Sequence, residues 1–103
     1  MLSSEMVDGT GRISASGELD LATVPELEAA YAQALAASPS TLLVDLHAVT
    51  FMDSTGMALL LDMLERRGAV ELRFAISPPI ERLLELVGLA GRLPLAQDGT
   101  PSR

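Results

Sequence analysis

Thr41 to Gly56, TLLVDLHAVTFMDSTG, is the stretch whose reading decides the fold. Its first six residues, Thr41 to Leu46, are a short and nearly continuous apolar run, the pattern of a central strand buried on both faces. His47 to Met52 reads as a connection. Asp53-Ser54-Thr55-Gly56 then leads into a helical stretch from Met57 to Arg67. Met57, Leu60, Leu61 and Leu64 share one face of it, and Asp62, Glu65 and Arg66 the other. Gly68 closes that helix as a C-terminal cap. A strand feeding a helix across a short polar loop is the repeating unit of parallel sheets.

Working downstream, Val70, Leu72, Phe74 and Ile76 alternate with Glu71, Arg73 and Ala75, which predicts a strand. Ser77-Pro78-Pro79 opens a third helix, with Ile80, Leu83, Leu84 and Val87 expected inward and Gly88 closing it. Arg92 to Ala96 is a candidate edge strand, and residues 97–103 are expected to be a disordered tail. Upstream, Thr23-Val24-Pro25-Glu26 has the form of a helix start, with a Thr cap and Glu three residues on. Leu27, Ala30, Tyr31, Ala34 and Leu35 then recur at helical spacing to about Ala37, and Ser38-Pro39-Ser40 ends the helix. Asp8-Gly9-Thr10-Gly11 is turn chemistry between short strands near Ser3–Val7 and Arg12–Ser16. The order is β-β-α-β-α-β-α, an α/β class, with one domain over residues 1–96. In such folds the loops at the carboxyl ends of the strands carry function. Two loops qualify, Gly17 to Ala22 and His47 to Gly56.

Composition narrows the chemistry. The 103 residues carry fourteen Asp and Glu against seven Arg and no Lys, a formal charge of −7. That balance argues against nucleic acid and anionic membrane, which recruit clustered Lys and Arg. With no cysteine there is no disulfide and no thiolate chemistry. The longest apolar run, Met57 to Leu61, is far short of the roughly 20 residues of a membrane helix. Met1 to Asp8 has neither a basic region nor a long apolar stretch, so no signal peptide is expected and a cytoplasmic setting fits.

Ser54 stands out, at the entrance of a helix where unpaired backbone N–H groups point outward. It reads either as a simple cap or as a hydroxyl that accepts a phosphoryl group facing the positive end of the helix dipole. Asp20 reads either as a solvated strand end or as a neighbour of Ser54, accepting its hydroxyl or touching a partner. Phe51 and Met52 are expected in the core; of Met52 and Met57, the second is expected to be the more exposed. Asp20 and Asp53 could form an acid–base pair or weak Mg²⁺ ligands. No second His, Arg clamp or phosphate-binding glycine loop supports either role. No metal, no cofactor and no catalytic residue is therefore assigned, and the chain is read as a non-enzyme. His47 reads as a surface loop residue.

Phe51-Met52-Asp53-Ser54-Thr55-Gly56-Met57, following Leu42-Leu43-Val44-Asp45-Leu46, resembles the signature of STAS domains. It is most similar to that of the stand-alone bacterial anti-sigma factor antagonists. Gly17-Glu18-Leu19-Asp20 resembles the first motif of the family. Ala75-Ile76-Ser77-Pro78, with Ile80, Arg82-Leu83-Leu84 and Gly88-Leu89, resembles its C-terminal helix. The resemblance implies the STAS fold, a four- or five-stranded mixed β-sheet with helices packed mainly on one face. It also implies a partner switch. The unphosphorylated protein binds an anti-sigma factor, a serine kinase of the histidine-kinase-like ATPase fold, and so frees the sigma factor. The kinase phosphorylates the residue matching Ser54, and a PP2C-type phosphatase reverses the step. Asp20, Asp53, Thr55, Gly56 and Met57 are implied as partner-binding residues. Gly56-Met57-Ala58 departs from the usual Gly-Leu-Gly, which is expected to bear on which kinase is recognised. STAS domains also serve as accessory subunits of membrane transporters and as small-molecule or nucleotide-binding regulatory modules, and these are the alternative readings.

Overall fold

Asp8 and Gly9 both take positive φ, 53° and 78°, as a two-residue hairpin loop of the mirror-image type requires. They join β1 (Leu2–Val7) to β2 (Thr10–Leu19) in antiparallel register, with Val7 opposite Thr10. The computed structural model describes residues 1–96. After the hairpin come α1 (Val24–Ala36), β3 (Thr41–Met52), α2 (Ser54–Arg66), β4 (Glu71–Ile76) and α3 (Pro78–Leu86). The strand order is β1-β2-β3-β4, with β2–β3 and β3–β4 both parallel, so the sheet is mixed and four-stranded.

Register sorts the side chains. Ile13, Val44 and Phe74 lie opposite one another across β2, β3 and β4, and Leu42 lies opposite Leu72. All five are buried and share one core with Leu27 and Tyr31 of α1 and Leu60 and Met63 of α2. The alternate residues, Arg12, Leu43 and Arg73 in one row and Ser14, Asp45 and Ala75 in the next, face the other way. Helices α1 and α2 thus cover one face and leave a polar face opposite. The Tyr31 hydroxyl spans the two helices and donates to the Met63 carbonyl at 2.5 Å. The Arg66 guanidinium lies 5.3 Å from the Tyr31 ring centroid.

Several expectations are corrected. His47 to Met52 is not a connection: β3 runs on to Met52 because β2 also runs on, to Leu19, and pairs with it. Register shifts at Ser14/Ser16 and Gly17/Glu18 break the alternation by which a strand is recognised. The second shift also sets Phe51 opposite Glu18 and Met52 opposite Leu19. Phe51 therefore points outward and is 51% exposed, while Met52 enters the core. His47 is exposed, but on a strand. Val87, expected inward, is the C-cap of α3 and is exposed beside Leu86, while Ile80 and Leu84 hold the helix to the core. The candidate edge strand at Arg92–Ala96 is reduced to one bridge, Phe74 to Leu95. The expected tail, 97–103, lies outside the described residues.

Candidate functional site

The site is built where the end of β2 meets the start of α2. Helix α2 begins at Ser54, three residues earlier than its apolar spacing predicts, because Asp53 caps it. The Asp53 Oδ1 accepts the N–H groups of Thr55 at 2.9 Å and Gly56 at 3.1 Å, and the Thr55 hydroxyl donates to the same oxygen. The Thr55 hydroxyl, against a smaller opposing effect of burial, and the N–H groups of Gly56, Thr55 and Leu21 hold the Asp53 carboxyl below its ordinary pKa. The cap stays ionised at neutral pH, as a helix N-terminus favours.

Gly56 sets how close the helix comes. A Cβ there would lie 2.8 Å from the Leu19 carbonyl oxygen and 2.6 Å from the Met52 side chain. Only a residue without Cβ lets the first turn sit on the end of β2. The same Leu19 carbonyl accepts the Asp53 N–H at 3.2 Å. The loop after Leu19 therefore flanks Asp53.

Asp20 closes that loop on itself. Its Oδ1 accepts the N–H of Ala22 at 3.1 Å and the N–H of Thr23 at 3.2 Å. Asp20 is thus occupied by the turn, and among the described residues no hydrogen bond joins it to Ser54, contrary to one of the two sharper readings of this residue. Thr23 holds the N-cap position of α1 without capping it. Its hydroxyl donates to the Glu18 carbonyl at 2.8 Å instead. The turn places Leu21, 74% exposed, on the surface.

Of the residues singled out by sequence, Ser54 is exposed in the first turn of α2, Asp20, Asp53 and Thr55 are half-buried, and Gly56 is buried. Met57 is buried as well, as Met52 is, so the expected contrast between the two methionines does not hold; Met57 lies with Leu60 on the apolar face of α2. Among the described residues the Ser54 hydroxyl has no hydrogen-bond partner, while one carboxylate is locked into the helix cap beneath it and another into the neighbouring turn. That arrangement offers a surface for recognition and a place to add charge.

Sequence reasoning missed a second cluster. Asp45 is buried in the middle of the apolar run, 2.5 Å from Arg12 and 2.6 Å from the His47 Nδ1. Burial acts to raise its pKa, but hydrogen bonds from His47 and the charges of His47 and Arg12 outweigh it and leave the carboxyl below its ordinary value. Part of the signal was present: an Asp inside a buried strand needs partners, and His47 shares its face by strand alternation, whereas Arg12 is brought there by the pairing of β2 with β3.

A family model described as "Mlab, STAS domain" matches residues 2–96. The chain belongs to the STAS domain family. Among relatives it is similar to the anti-sigma-F factor antagonist RsfB of Mycobacterium tuberculosis, 38% identical over 61 residues. That match takes in 59% of this chain and 50% of RsfB, so the chain spans about half the length of the curated relatives it matches. Among solved structures it is similar to an anti-sigma factor antagonist from Mycobacterium paratuberculosis, at 35% identity and TM-score 0.83, covering 96% of this chain and 88% of that one. It is also similar to the antagonist SpoIIAA in its unphosphorylated form, at 25% identity and TM-score 0.75, covering 96% and 90%. The Bacillus cell fate determinant SpoIIAA in the phosphorylated form matches at 25% identity and TM-score 0.70, covering 96% and 94%.

Proposed function

We propose that this chain is an anti-sigma factor antagonist that works by partner switching, with Ser54 as the switch. The observation that carries the reading is the exposed Ser54 hydroxyl in the first turn of α2, above a carboxylate already committed to the cap. Similarity to antagonists solved in unphosphorylated and phosphorylated forms supports it. The unphosphorylated chain binds an anti-sigma factor serine kinase of the histidine-kinase-like ATPase fold. The kinase transfers phosphate to Ser54, and a PP2C-type phosphatase removes it. The chain's own task is binding rather than catalysis, it touches no nucleic acid, and it acts in the cytoplasm.

The physics of release is local. Phosphorylation adds a charge of about −1.5 to −2. The helix N-terminus offsets part of it, roughly 0.3–1 kcal/mol at a surface. Inside a closed interface the same charge is desolvated and lies beside the ionised Asp53. A loss of ~3–4 kcal/mol of affinity is a few-hundred-fold weakening, enough to release a partner. Asp20 and Asp53 support the surface by holding its backbone, and Gly56 and Met57 act from beneath it. Thr55 positions the cap.

Incubation with the cognate kinase and ATP, followed by mass spectrometry of the peptides, tests the reading. Phosphate on Ser54 is the expected result; phosphate elsewhere, or none, overturns it. Purification from the native host should recover a soluble kinase. Recovery of a membrane permease in its place would establish the transport-linked alternative.

A further inference from the structure

The far end of α2 carries a second feature. A cleft of about 590 Å³ opens there between the end of the helix, β4 and the segment leading to Pro94. Arg67, Arg73 and Arg92 line it, over a floor that includes Leu72 and Leu93. Three of the seven arginines of a chain with net charge −7 thus meet in one place. Arg73 is paired with Glu71 at 3.0 Å. Arg67 is anchored through one nitrogen to the carbonyls of Gly68 and Val70 at 3.3 Å each. Among the described residues neither Arg67 nor Arg92 forms an ion pair, and Glu65 also lines the cleft.

Among the described residues the backbone of the cleft at Leu72 is an unpaired sheet edge. Phe74 donates its N–H to Pro94 and accepts from the Ala96 N–H, both at 2.9 Å. Alternate residues of a strand turn their polar groups to the same side. Leu72 therefore presents its N–H and carbonyl to that outer edge, one step beyond the stub that pairs with Phe74. The Arg73 guanidinium covers the Leu72 carbonyl at 3.0 Å, a device that guards exposed edges against indiscriminate pairing.

We propose that this cleft receives an extended acidic segment of a partner protein, which adds to the edge of β4 at Leu72 and sets its carboxylates on Arg67 and Arg92. Strand addition supplies backbone hydrogen bonds, and the guanidiniums supply the selection for acid. Its apolar positions rest on Leu72 and Leu93. Helix α2 separates this cleft from Ser54 by about 18 Å, at 1.5 Å per residue. The two surfaces do not overlap, and the inference stands apart from the Ser54 reading.

A synthetic peptide of about six residues alternating Glu with Val, a typical strand length, is titrated into the ¹⁵N-labelled full chain. The amides of Leu72, Arg92 and Leu93 are expected to shift. The double variant Arg67→Glu with Arg92→Glu should weaken binding about tenfold or more, and Arg82→Glu, outside the cleft, less than about twofold. The same peptide methylated on alternate backbone nitrogens should bind no better than the double variant. Absence of shifts at Leu72 and Leu93 overturns the proposal. So does an equal effect of Arg82→Glu, an equal affinity for inorganic phosphate alone, or self-association of the chain through this edge.

Discussion

The two ends of α2 obey one rule with different means. At the N-terminal end a carboxylate, Asp53, takes the first backbone N–H groups, and the absence of a Cβ at Gly56 lets the turn lie on β2. At the C-terminal end Arg66 sits in the last turn, bridges Asp62 at 2.9 Å and Glu28 at 3.2 Å, and stacks over Tyr31. Acid at the start and base at the end both complement the helix dipole. The N-terminal end, however, is fixed by backbone contacts that tolerate almost no change of shape. The C-terminal end is fixed by side chains, of which only the Tyr31 hydroxyl is deeply buried. The proposed switch, Ser54, lies at the first end.

The largest break in that comparison is electrostatic. Ser54→Asp should bind the anti-sigma factor a few hundred times more weakly than wild type, ~3–4 kcal/mol, with an unchanged melting temperature. Ser54→Ala should bind as tightly as wild type and resist release by ATP. Calorimetric titration of both variants decides it; equal affinity for Ser54→Asp and wild type would remove Ser54 from the interface. A charge reversal at Arg67 should leave this affinity within about twofold, because it lies beyond the screening length of the switch.

Gly56→Ala comes next. Its methyl group meets a backbone carbonyl and a packed methionine, so the first turn must lift from β2. The expected cost is about 1–3 kcal/mol, read as a lower midpoint in urea, together with slower phosphorylation of a displaced Ser54. Ala at Gly68, where nothing lies within contact distance but φ is +60°, should cost about 1 kcal/mol through the backbone alone and leave phosphorylation untouched. If both variants slow the kinase equally, close approach at Gly56 is not what places the hydroxyl.

The same contrast explains what could be read in advance. The elements that depend on a simple period were legible in kind: the apolar run at Thr41–Leu46, the amphipathic α2 and the alternating β4 all appear, although β3 runs on to Met52 and α2 starts at Ser54. A helix start at Asp53-Ser54-Thr55-Gly56 was legible because cap chemistry is local, although the cap is Asp53 and not Ser54. What escaped depends on strand register. Two shifts between β2 and β3 lengthen both strands and turn Phe51 outward, and no window of one strand reveals a shift against its neighbour. Asp20 was found, but its hydrogen bonds go to its own turn and not to the Ser54 hydroxyl. Its spacing marks the loop, whereas its engagement with Ala22 and Thr23 is decided by how tightly that loop turns. The Arg12–Asp45–His47 cluster needed the pairing of β2 with β3 to bring it together.

Tyr31→Phe loosens the C-terminal end alone. The buried Met63 carbonyl loses a donor, for about 0.5–1.5 kcal/mol, and the ring that faces Arg66 stays. Burial outweighs the nearby Arg66 and raises the pKa of the Tyr31 hydroxyl. A raised pKa means that its contribution is complete below the ordinary tyrosine value near 10 and is lost as pH rises through the folded value. The wild-type advantage over Tyr31→Phe should therefore be constant through neutral pH and shrink only in strong alkali. An advantage that fades already between neutrality and the ordinary tyrosine value would mean that the hydroxyl is not the group responsible.

Asp53→Asn should have the smallest effect and the opposite pH signature. Asn is as good a cap as Asp, so at neutral pH the Thr55 and Gly56 amides remain protected and the melting temperature scarcely moves. The folded pKa of Asp53 is depressed, so its stabilisation is present above the ordinary carboxylate value near 3.9 and disappears as pH falls through the lower folded value. In wild type the start of α2 should then fray in acid while Met63 and its neighbours stay protected. In Asp53→Asn, which has no proton to gain, the first turn should hold. Hydrogen exchange at Thr55 and Gly56, followed into acid for both proteins and normalised to the Met63 amide, measures the difference directly. Parallel curves would mean that the backbone contact at Gly56, rather than the carboxylate, keeps the turn closed, and the N-terminal end would owe its rigidity to shape alone.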